Sequence, residues 1–255
     1  MVHLQFALSR RVLVTTIILV VASSVSAIDE IPPDSEGSTI LEEAATLIYS
    51  QTGSTDEIMN LLTEAERRFR RIGDPVERNY WIARTDLIRT IRYNQIGRRG
   101  AAERNARAGL KAIRDTLAEA TFSEGLRVLS DLHAQMMMAK GLVYMVRNGS
   151  EARDAALEAL ERAPRNIKAQ ITVAGFLLNA PPMAGGDTEQ ARLVLERALA
   201  QEPASMNDRF LILGWLAQAS HTLDDVEAAE QYFAEAFSIY PESEWLAEIG
   251  EEILE

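Results

Sequence analysis

Four segments of the chain repeat one pattern, and that pattern restricts the fold more than any other feature. In "AERNARAGL" (102–110), "ARDAALEAL" (152–160), "ARLVLERAL" (191–199) and "AAEQYFAEAF" (228–237), an alanine is followed seven residues later by alanine or glycine, and then at once by a large apolar residue. The small pairs are Ala102 and Gly109, Ala152 and Ala159, Ala191 and Ala198, Ala229 and Ala236; Leu110, Leu160, Leu199 and Phe237 follow them. Residues seven apart share one face of a helix two turns apart, so small side chains there let a neighbouring helix approach closely. In three of the segments a proline (Pro164, Pro203, Pro241) follows the second small residue by five positions, at intervals of 39 and 38 residues. Proline removes an intrahelical hydrogen bond and clashes with the preceding turn, so it ends a helix. A period of 30–40 residues in a helical chain predicts stacked helix pairs.

From Thr39 onward there is no strand pattern, and start signals recur where helices should begin. Asp74-Pro75-Val76-Glu77 places a cap, a first-turn proline and a capping-box glutamate in order; Asp224 with Glu227 and Thr121 with Glu124 repeat the spacing. "APPMAGGD" (180–187) reads as the turn between two helices: Pro181 and Pro182 stop the first, the glycines permit unusual backbone angles, and Asp187 caps the next with Gln190 three residues on. The other reading, a glycine-rich phosphate loop, lacks the lysine and hydroxyl of a P-loop and has no strand before it. The expected fold is all-α: one domain over residues 39–255, a solenoid of about five antiparallel helix pairs closed by a short capping helix over 243–255.

These residues resemble the tetratricopeptide repeat (TPR) family. Leu216, Ala229, Phe233, Ala236 and Pro241 fall at that family's spacing, and the resemblance covers residues 83–243 as three or four units, extended loosely to an earlier pair at about 39–72. It departs where the first helix should carry an aromatic and a glycine: Leu213, Ala217 and Ser220 stand there. The resemblance implies a right-handed solenoid and a scaffold that binds protein segments along its concave face.

The first 27 residues differ from the rest. Arg10 and Arg11 precede an apolar run of about a dozen residues and a small-residue stretch ending at Ala27, the order of a secretory signal cleaved after Ala27. An uncleaved anchor is the alternative, but a spanning helix needs ~20 apolar residues. The paired arginines fit the twin-arginine route as well as the general one. No cysteine occurs anywhere, so no lipid attaches near the cut and no disulfide or thiolate is available. The expectation is a periplasmic or secreted protein that is not a lipoprotein and has no membrane span after cleavage. Residues 28–38, acidic and rich in Pro, Ser and Gly, are expected to be a disordered lead-in.

No catalytic or cofactor motif is present: no HExxH, GxSxG or dinucleotide loop. The expectation is therefore not an enzyme, with no cofactor and no metal. His133, Met136 and Met137 share a helix face and could hold Cu(I), but methionines so spaced are more often core. Asn148-Gly149-Ser150 is a glycosylation acceptor pattern in a predicted turn. Charge is uneven along the chain: residues 61–115 carry 14 basic and 7 acidic side chains, and residues 200–255 carry 1 basic and 13 acidic. An anionic partner, acidic protein or lipid headgroup, is expected at 61–115, against the alternative of a solvated face with internal pairs; nucleic acid is not expected. The function expected is a non-catalytic exported scaffold or adaptor for protein–protein interaction. The alternative is an accessory small-molecule-binding subunit of a solute transport system. Partner-binding candidates on the concave face are Arg84, Met137, Tyr144, Phe176, Gln218 and His221.

Overall fold

Capping side chains and backbone breaks divide residues 35–254, the residues described in this computed structural model, into eleven α-helices. They are α1 (Ser35–Ser50), α2 (Thr55–Phe69), α3 (Pro75–Gln95), α4 (Arg99–Glu119), α5 (Ser123–Lys140), α6 (Leu142–Arg162), α7 (Ile167–Asn179), α8 (Thr188–Leu199), α9 (Met206–Thr222), α10 (Val226–Ile239) and α11 (Glu244–Leu254). Helix α1 begins four residues before the helical body was expected to start. The expected signal sequence (1–27) and most of the expected lead-in (28–38) lie outside the described residues.

Local chemistry explains the boundaries. Asp74 and Asp187 accept from the amides of Glu77 (2.8 Å) and Gln190 (2.9 Å), as the spacing predicts. The cap of α10 is Asp225 rather than Asp224, because Asp224 takes a left-handed conformation (φ 60°) in the turn before it. At the start of α5 the Thr121 hydroxyl points back to the Leu117 carbonyl, and Phe122 occupies the cap position with no side-chain bond. Between α7 and α8, Pro182–Ala184 form a short 3-10 turn, Gly185 sits at φ 96°, and a Cβ on Gly186 would lie 1.8 Å from the Ala180 carbonyl oxygen. That turn is built for tightness and needs both glycines.

Consecutive helices pack as pairs, α1/α2 through α9/α10, with α11 over the last. The eight small residues of the repeating pattern are all buried, on the second helices α4, α6, α8 and α10. Gly109 shows why: a Cβ there would sit 2.9 Å from Leu132 and 3.1 Å from Asp86. One buried cluster runs from Leu41 and Ile48 through Phe69, Trp81, Ile113 and Leu132, and a second is built around Leu195, Ile212 and Leu216. Phe69 and Trp81 stack at 5.0 Å, and Phe210 meets Tyr240 (4.9 Å) and Trp245 (5.5 Å), closing the C-terminal end.

Candidate interaction surface

The first helices of the pairs (α1, α3, α5, α7, α9) share one inner face, and charged side chains occupy it in register: Arg84, Arg127, Lys168 and Asp208 stand 43, 41 and 40 residues apart. Tyr80 donates to Glu124 (3.1 Å), as does Asn166 (2.7 Å), and Arg127 lies between Glu124 and Asp131. Thr172 donates to Asp131 (2.8 Å) and Lys168 to Asp208 (2.7 Å). Burial pushes Glu124 up, but Arg127 and Arg84, with the bonds from Arg127 and Asn166, hold it at about 2. Burial, with the Glu124 charge, raises Tyr80 to about 12. These groups are bonded to one another.

Helix α1 lies across this network. Its Glu42 accepts from Arg84 (3.1 Å) and stands 3.8 Å from Lys168, while Thr46 accepts from Asn207 (3.0 Å), which also accepts from Tyr240 (2.9 Å). Tyr49 packs against Phe210 (6.4 Å), and burial raises its phenol well above the ordinary value. One helix thus touches the second, fourth and fifth pairs, and the inner face is lined by bonds within the chain rather than presented as an open groove.

No family model matches the sequence, and no curated protein matches it. Among solved structures, a thermophilic TPR protein of Thermus thermophilus aligns over 86% of this chain and all of its own, at a TM-score of 0.53 and 19% identity. The fold is that of a TPR protein. Helix pairs with small residues on their second helices, stacked over one inner face, are the architecture by which this chain takes that fold.

Within this TPR-like body the six candidate residues separate. Arg84 is on the inner face, its guanidinium 5.2 Å over the Trp81 ring and bonded to Glu42. Phe176 on α7 and Gln218 and His221 on α9 are half-buried on first helices; Phe176 packs in the core beneath the 181–187 turn. Met137 is half-buried on α5. Tyr144 is not on a first helix: Gly141 (φ 74°, ψ −160°) breaks the chain, so Tyr144 belongs to α6, where its hydroxyl pairs with His133 Nδ1 (3.0 Å). The structure does not bring the six together. His133 is fully buried, its Nε2 lies 3.3 Å from Arg114, and burial lowers its pKa; both ring nitrogens are engaged, which leaves neither for a metal. Among the described residues no cluster of three His, Cys, Asp or Glu could hold a metal ion, and no helix is long and apolar enough to cross a membrane.

Much of the basic region is internally neutralised. Arg67 and Arg68 pair with Glu64, Arg70 with Glu66, Arg107 with Glu103, and Lys111 with Asp115. Exposed pairs of this kind are worth about 0–1 kcal/mol each. Arg98, Arg99, Arg104 and Arg147 are exposed and make no ion pair within 4 Å among the described residues. What sequence reasoning missed is the inner-face network. The signal available was the recurrence of charge at one position of four first helices, which a solvated face would not require.

Proposed function

We propose that this is a non-catalytic, exported scaffold or adaptor that binds a protein partner through its outer surfaces. The observation that supports this reading is the occupied inner face: the titratable groups there are spent on one another and on α1. Stacked pairs provide long rigid outer surfaces, which suit a binding role. The solute-carrier alternative needs a lined pocket between repeats. The two best-formed clefts, of about 430 and 440 Å³, are both open, and neither Phe176 nor Met137 lines them.

The test is a native pull-down of tagged protein from an envelope extract at low and high salt. One stoichiometric protein is the expected result, lost at high salt if Arg98, Arg99, Arg104 and Arg147 carry the contact. No protein at either salt overturns the reading.

A further inference from the structure

Exposed aliphatic side chains gather at one corner of the molecule. Met138 is 64% exposed, Leu142 67%, Val143 65% and Val146 77%, four large apolar residues within nine positions. They surround the single-residue connection at Gly141, where the last turn of α5 meets the first turn of α6. Leu142, Val143 and Val146 share one face of α6 (i, i+1, i+4), pointing away from the buried Ala152, Ala155, Ala156 and Ala159. The inner-pair turns of a stacked solenoid fall along one edge, so the α3–α4 turn and the α7–α8 turn flank this corner. The former carries Arg98 and Arg99; the latter carries Met183, 96% exposed.

The stretches around the α3–α4 and α5–α6 turns carry charges of one sign, whereas the α7–α8 turn carries the exposed Asp187 and Glu189. Residues 87–102 and 132–150 contain no Asp or Glu. The arginines Arg98, Arg99 and Arg147 stand in those two stretches, and Arg104 reaches back over Gly100 beside the first. Lys140 and Arg107 share Glu103, so they add less. The acidic stretch 200–255 begins with the fifth pair and is separated from this corner by the fourth. We infer that this edge docks on a bilayer surface bearing anionic headgroups, with Leu142, Val143, Val146 and Met138 entering the headgroup–acyl boundary and the arginines resting on the phosphates.

A corner of exposed aliphatic residues with arginines on its α3–α4 side and on α6 has the composition of an interfacial insertion. Protein hot spots instead favour Trp, Tyr and Arg seated in pockets, and among the described residues no exposed aromatic stands at this corner. The inference goes beyond the scaffold reading and does not depend on it.

The test uses the full chain with Val146→Cys, a unique thiol because the chain has no cysteine, carrying an environment-sensitive dye. Vesicles of pure phosphatidylcholine are compared with vesicles containing phosphatidylglycerol. The expected result is a blue shift with the anionic vesicles, weakened about tenfold or more by Arg98→Glu/Arg99→Glu and suppressed by high salt. The same dye at Val226→Cys, on the acidic half, should not shift. In unlabelled protein, Val143→Asp/Val146→Asp, which alters exposed positions only, should lower vesicle affinity about tenfold or more while circular dichroism stays unchanged. The inference is overturned if the Val146 dye keeps its aqueous spectrum on anionic vesicles, including where the protein cosediments through its apolar N-terminal segment. It is also overturned if the dye shifts only with protein concentration in the absence of lipid, which would make the corner a contact between copies.

Discussion

Asp86, buried, and Glu124, half-buried, lie on neighbouring first helices beside arginines, yet they are driven to opposite ends of the carboxylate range. Glu124 receives two guanidinium charges and three donors, and they outweigh its desolvation. Asp86 has burial and the Glu66 charge against it, with Arg89 offsetting only part, and is raised to about 6. The sign follows from linkage: a carboxyl raised on folding contributes stability that is full below its unfolded value and is lost as pH rises through about 6. Asp86→Asn should therefore stabilise the protein at pH 8, by roughly 3 kcal/mol at most, and give no gain at pH 4. Urea denaturation at the two pH values reads the difference. A gain at pH 4 equal to that at pH 8 would sink the argument. Residue identities at these positions were plain in the sequence, but their burial was not. A charged side chain on a repeat helix reads as solvated until something is known to cover it, and here the neighbours are remote in sequence: Asp86 is linked to Glu66 through Arg89 and packs beside Gly109, while Glu124 is met by Tyr80 and Asn166.

Among the elements, the second helices were the most legible. Their small residues must sit where another helix approaches, and the geometry of packing admits few alternatives. Prolines after α6, α8 and α10 marked their ends for the same kind of reason. First helices were harder to place, since Gly141 lies within an otherwise continuous helical pattern and only its backbone conformation reveals the break. At φ 74° and ψ −160° it occupies a region that side-chain-bearing residues avoid, which moves Tyr144 to the following helix. A glycine with the opposite use is Gly214, on the face of α9 that receives α11. A Cβ there would lie 2.5 Å from Cη2 of Trp245, whose ring is already held by Trp215 (4.9 Å) and Phe210 (5.5 Å). Gly214→Ala should displace α11 and cost about 1–3 kcal/mol. The expected signature is loss of the near-ultraviolet dichroism of the tryptophans and faster amide exchange in α11, with α3 to α6 unaffected. Unchanged exchange in α11 would show that the ring can slide without releasing the helix.

At the scale of the whole molecule, the chain is not an open spiral whose units meet only their sequence neighbours. Thr46 and Asn207 are bonded across 161 residues, and Tyr49, Phe210, Tyr240 and Trp245 form one aromatic cluster drawn from both ends of the chain. In a nearest-neighbour solenoid, substitutions in the first and fifth pairs would add independently. Here Thr46→Val and Asn207→Ala should show a coupling of about 0.5–3 kcal/mol in a double-mutant cycle. Additive effects would mean the contact carries no free energy. Such arrays ordinarily change length by gaining or losing a unit, because an inserted pair finds the same neighbours as the one it joins. A chain whose first helix is bonded to its ninth has a fixed count: a sixth pair would carry Asn207 out of reach of Thr46, and a missing one would leave Glu42 facing the wrong cation. Variation in length has to be absorbed at the turns, of which the proline–glycine turn at 181–187 is the most extended, leaving five pairs as the number that this closure allows.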